Sequence, residues 1–206
     1  MTTRAELRAA IRTELNDGGG TPLWSDALLN EFIAQAIRRY GAQLPEEAST
    51  TIAVVAGQAA YPLPDRFLRA VRVEQPAGTE RVGDGRHPWS YRVFAGQLLL
   101  DPAPTQAGSD QEITLDYLRR YAEPAADGDT LATPSADDDV LVALVCARAL
   151  DELALDESKR QRFSRVRSAD PRGVAAAYER RAGERIALRA RVLRVGALVD
   201  RTAFHE

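Results

Sequence analysis

Cysteine, lysine and histidine are almost missing from this chain of 206 residues. Cys146 is the only cysteine, which excludes an internal disulfide and a thiolate cage for a metal ion. It lies in the apolar run Val140 to Ala147, the setting of a buried small hydrophobe. Lys159 is the only lysine among 27 basic residues. GC-rich coding and selection for bidentate pairing would each produce that arginine bias. The two histidines, His87 in a Gly/Pro loop and His205 near the C-terminus, have no carboxylate or second histidine at ligand spacing. No apolar run approaches the roughly 20 residues of a membrane helix, and the first residues lack the apolar stretch of a secretory signal. The expectation is a soluble protein with no membrane partner, made and used inside a cell or packaged into something assembled there.

Catalytic signatures are missing as well. Gly83-Asp-Gly85 has no following helix and no third glycine in register, so it is no dinucleotide loop. There is no Walker lysine, no Gly-x-Ser-x-Gly elbow and no His-Glu-x-x-His. Carboxylates cluster at Asp127-Gly-Asp129 and Asp137-Asp-Asp139, without the alternating ligands and distal glutamate of a calcium loop. Loop solvation and helix capping account for both. No catalytic, metal or cofactor residue is assigned; a hydrolase working through these clusters is the weakest of three readings.

What is present is an ordinary globular composition, 45% hydrophobic and 28% charged, with uneven charge. Residues 151–206 carry 13 basic and 9 acidic side chains, whereas the first 150 carry 14 and 21. A basic end on an acidic body points to an anionic partner, or to a solvated amphipathic helix.

Thr3 and Glu6 form a capping box, and Leu7, Ile11 and Leu15 make one stripe of a short helix. Ser25 caps a second helix, whose apolar face holds Leu29, Phe32, Ile33, Ala36, Ile37 and Tyr40. The period then shortens. Thr50 to Val55 is β-branched, and Ala59 to Pro64 reads as an edge strand because Pro62 and Pro64 lack ladder donors. Phe67, Val71 and Val73 are expected on one face of the next strand, with Arg66, Arg72 and Glu74 on the other. A loop spans Pro76 to Pro88. Strands follow at Trp89 to Phe94, Leu98 to Asp101 and Glu112 to Tyr121.

After a Pro/Ala/Asp/Gly linker, Ala122 to Ala136, the segment Val140 to Ala147 is apolar all round and predicts the centre of a helical core. A last helix starts at Asp170-Pro171 and carries Arg181, Arg185 and Arg189 four apart. The fold class is therefore α+β: a helical bundle from residues 1–48 and 122–195. A small antiparallel β-sandwich or barrel at 49–121 is inserted between its second and third main helices. Residues 196–206 form a flexible or partner-bound tail. Phe32, Ile33, Ile37, Leu141, Leu144 and Val145 are the expected core.

Three segments, in this order, carry a resemblance: "LWSDALLNEFIAQAIRRYGAQLP" from Leu23, "TTIAVVAGQAAYPLPDRFLRAVRVE" from Thr50 and "YRVFAGQLLLDPAP" from Tyr91. With the apolar helix after Val140, the chain resembles the head-to-tail adaptor (connector) proteins of tailed bacteriophages, or those of a related gene-transfer particle. The resemblance implies a ring, twelvefold, docked beneath the portal in the virion neck and assembled in the host cytoplasm. Implied partners are further copies of the chain, the portal protein, a tail or stopper protein, and genomic DNA passing without sequence readout. It also implies that the helical part and C-terminal segment engage the portal, while the β insertion faces neighbours or the tail. Arg181, Arg185, Arg189, Arg191, Arg194 and Phe204 are the candidate interface residues. The alternative is an Arg-rich nucleic-acid-binding protein; Asp170, Glu179 and Glu184 interrupt its basic field, and no aromatic platform accompanies it.

Overall fold

The computed structural model describes residues 2–18, 21–74, 90–101, 103, 112–166 and 170–202. The helices are α1 Arg4–Leu15, α2 Asp26–Gln43, α3 Asp138–Leu155, α4 Glu157–Val166 and α5 Pro171–Thr202. Between α2 and α3 run the strands β1 Glu46–Ala53, β2 Ala60–Pro62, β3 Phe67–Glu74, β4 Ser90–Phe94, β5 Gln97–Asp101 and β6 Glu112–Arg119. The class is α+β. The chain divides into two compact units, residues 1–44 with 121–206, and residues 45–120.

In the helical unit α3 packs against α1, α2, α4 and α5. Its apolar sequence follows from that position, because a helix with neighbours all round has no face to leave polar. Leu141, Leu144 and Val145 are buried in one cluster with Phe32, Ile33 and Ile37 of α2 and with Leu7, Ile11 and Leu15 of α1. Trp24, fully buried in the loop between α1 and α2, donates its indole N–H to the Ala149 carbonyl at 3.2 Å and ties that loop to α3.

The start of α1 shows how its free backbone donors are met. Thr3 and Glu6 form the capping box. Arg4 N–H and Ala5 N–H donate to the carbonyls of Asp129 and Asp127, at 3.0 and 3.1 Å. Thr3 pairs with Thr130 in an antiparallel bridge. The segment expected to be a linker is thus an ordered strap that completes the first turn of α1. Arg4 and Arg8 fix it by gripping Asp127 at 2.8 and 2.7 Å.

Among the described residues the β unit has two three-stranded antiparallel sheets, in the orders β1-β6-β3 and β2-β5-β4. Ile113 from the first sheet and Tyr61, Leu98 and Leu100 from the second share one buried cluster with Val54. The first and last strands pair directly, with Glu46 opposite Arg119. The insertion therefore begins and ends at the same place, secured by an Arg119–Glu46 ion pair at 2.5 Å. Ala95 and Gly96 join β4 to β5 with φ of 49° and 75°, the paired positive values of a tight primed hairpin turn.

Several expectations need correction. Val71 does not face inward with Phe67 and Val73; it is exposed. Register shifts between Phe67 and Arg69, and between Ala70 and Arg72, leave Leu68 and Val71 as extra residues. Phe67, Ala70 and Val73 then lie opposite Arg119, Tyr117 and Leu115, so two bulges turn a period of two into a period of three. Regular helix extends through Gly196 to Thr202, the first part of the segment expected to be a flexible or partner-bound tail. A single helical glycine costs only about 1 kcal/mol relative to alanine, which good formers around it absorb. Helix α4 was not foreseen; Asp156 caps it by accepting from Lys159 N–H at 3.2 Å. β1 starts at Glu46 rather than Thr50, because pairing with β6 draws polar residues into the ladder. The loop 76–88, with Gly83, Gly85 and His87, lies outside the described residues, as does His205.

Candidate interaction surfaces

Three arginines on α5 are held in ion pairs. Arg185 reaches Asp139 at 3.0 Å, Arg189 Nε lies 3.5 Å from Asp137, and Arg181 lies 4.0 Å from Glu14. Nearby, Arg39 of α2 holds Glu179 through two hydrogen bonds of 2.6 and 2.5 Å. The Asp137-Asp-Asp139 cluster thus does more than solvate a helix start. Asp137 is 8% exposed and accepts the Tyr40 hydroxyl at 2.7 Å. Burial foremost, then this hydrogen bond, pushes the Tyr40 phenol well above its ordinary range. Asp138 accepts from Thr2. The cluster is a junction of α2, α3, α5 and the N-terminus.

The Arg181–Glu14 and Arg185–Asp139 pairs are half open to water, so each is worth only about 0–1 kcal/mol. Arg191 is exposed and has no ion-pair partner among the described residues. Arg194 sits on α5 with its side chain outside the described set, and Phe204 lies outside it altogether.

Apolar side chains left in water mark further surface. Leu188 and Val192 are both 55% exposed on α5, and Leu155 is exposed at the end of α3. In the β unit every residue of β4 is exposed, including Tyr91, Val93 and Phe94, and β4 is a sheet edge. Sequence patterning missed these, since an exposed strand and a buried one carry the same aromatic and β-branched residues. A shallow, open depression of about 420 Å³ lies on the first sheet, lined by Glu47, Ala48, Ser49, Val71, Asp116 and Tyr117. Its lining carries the carboxylates of Glu47 and Asp116 and the Ser49 hydroxyl. Among the described residues no group of His, Cys, Asp and Glu is arranged to hold a metal ion, and no helix is long and apolar enough to cross a membrane.

The chain has two compact units, and both leave apolar side chains exposed. The SU10 adaptor protein family model matches residues 2–199, nearly the whole chain, and the chain belongs to that family of phage adaptors. No curated protein matches it.

Proposed function

We propose that the protein is a non-enzymatic head-to-tail adaptor of a phage virion. In this reading, copies close into a twelvefold ring in the neck, dock on the portal, and carry the DNA channel on toward a tail or stopper protein. DNA passes through without sequence readout, and assembly takes place in the host cytoplasm. The observation that carries the reading is the family match over residues 2–199. Exposed apolar residues on both units support it, since a ring subunit must meet two neighbours as well as partners above and below. Arg181, Arg185, Arg189, Arg191, Arg194 and Phe204 are proposed to face a partner, with the β unit turned to neighbours or tail.

Mixing the purified chain with its cognate portal and imaging by electron microscopy tests this. Rings stacked on portal particles are expected; a chain that stays monomeric with portal present contradicts the proposal. The nucleic-acid alternative is weakened by the intramolecular pairing of Arg181, Arg185 and Arg189. Its own check is a duplex titration over salt, in which phosphate binding gives a steep slope.

A further inference from the structure

The last helix carries two apolar faces, and the helical unit uses one. Ala175, Ala182 and Ile186 are buried in the core. Leu188 and Val192 are not, at 55% exposure each. With about 100° of rotation per residue, Leu188 and Val192 share one narrow seam, roughly a third of a turn from the buried face, and Val195 and Val199 continue its spacing in the sequence. Their spacing of four, three and four is that of a coiled-coil seam, narrower than the stripe a helix turns toward its own core. The flanks of this seam are basic. Arg185 and Arg189 lie along one side and Arg191 along the other, with Glu184 the acidic residue beside them. Arg181 extends the same line toward the N-terminus of α5.

We propose that this seam docks an amphipathic helix of another protein, with aliphatic residues at heptad spacing flanked by glutamate and aspartate. Charge selects that occupant. A second copy of α5 would set Arg185, Arg189 and Arg191 against like charge. An acidic helix instead takes over the weak pairs that Arg181 and Arg185 make with Glu14 and Asp139. Length agrees: Leu188 to Val199 covers about 17 Å, shorter than the three or four heptads of a self-sustaining coiled coil. Such a seam suits one short helix brought in by a larger partner. The inference deepens the adaptor reading and rests on it for the existence of that partner.

The test uses the full chain and two designed helical peptides of about three heptads, with Leu and Ile at the seam and either Glu or Lys at the flanks. Fluorescence anisotropy should show binding of the Glu peptide, weakening with salt, and none of the Lys peptide. The double variant Leu188→Ser, Val192→Ser should bind about tenfold more weakly, or about 1.4 kcal/mol, with unchanged melting. Equal binding of both peptides, binding of neither, or full binding by the variant overturns the proposal. A dimer by sedimentation that this variant abolishes assigns the seam to a second copy, and displacement of the Glu peptide by duplex DNA assigns it to nucleic acid; either result overturns it. Ring assembly on portal is scored separately. Peptide binding without rings would reject the adaptor reading and keep the seam, and rings without peptide binding would do the reverse.

Discussion

Tyr40 and Asp127 show how single side chains hold the helical unit together. The Tyr40 hydroxyl donates to a buried carboxylate, so Tyr40→Phe leaves Asp137 short of a partner and should cost about 1.5–3 kcal/mol in urea unfolding at neutral pH. Because burial raises the folded pKa, the stability Tyr40 contributes is complete below about pH 10 and is lost as the pH rises through the raised value. Wild type should therefore weaken in strong alkali more than Tyr40→Phe does. Asp127 behaves oppositely. Hydrogen bonds from Arg8, then Arg4, hold its carboxyl well below the usual range. Its contribution is present above about pH 4 and disappears as pH falls below that. Melting curves should fall more steeply with acid for wild type than for Asp127→Asn; parallel curves would show that the strap does not depend on this clamp. At the core, Val145→Asp buries a charge with no partner at a fully buried site, a loss of several kcal/mol that should prevent soluble folding. A soluble, cooperatively melting Val145→Asp protein would show that α3 is not the centre of the unit.

At the level of elements, local chemistry was readable and its partners were not. The Thr3–Glu6 box and the α2 stripe follow from spacing within one helix, and both stand in the structure. The bulges of β3 did not follow from spacing, because an extra residue shows itself only against the strand it pairs with. The strap of residues 122–136 was missed for a similar reason: the carbonyls that meet α1 leave no mark on residue type, and the arginines that hold Asp127 lie on a distant helix. The arginine stripe of α5 was visible, but not the carboxylates of α1 and α3 that meet it. The turn between β4 and β5 offers a test at this level. Ala95 holds a positive φ of 49° that glycine adopts without strain, so Ala95→Gly should stabilise the β unit by about 0.5–1 kcal/mol. An unchanged or lowered midpoint in chemical denaturation would mean that the turn relaxes in solution.

For the molecule as a whole, the insertion is closed upon itself. Glu46 and Arg119 are cross-strand partners, and in the helical unit a Cβ on Gly41 would meet the Tyr121 ring at 3.1 Å. Each unit therefore has its departing and returning chain side by side, an arrangement in which one unit can vary without unravelling the other. Replacing residues 45–120 by a short Gly/Ser linker should leave a helical protein that melts cooperatively but no longer closes a ring.

In the proposed function this chain works by surface fit between proteins in the neck of a phage particle. Electron cryomicroscopy of intact particles tests it most directly. A closed ring of this chain is expected between portal and tail, with α5 against a partner subunit. Density for the chain elsewhere in the particle, or particles that assemble and retain DNA with the chain deleted, would contradict it.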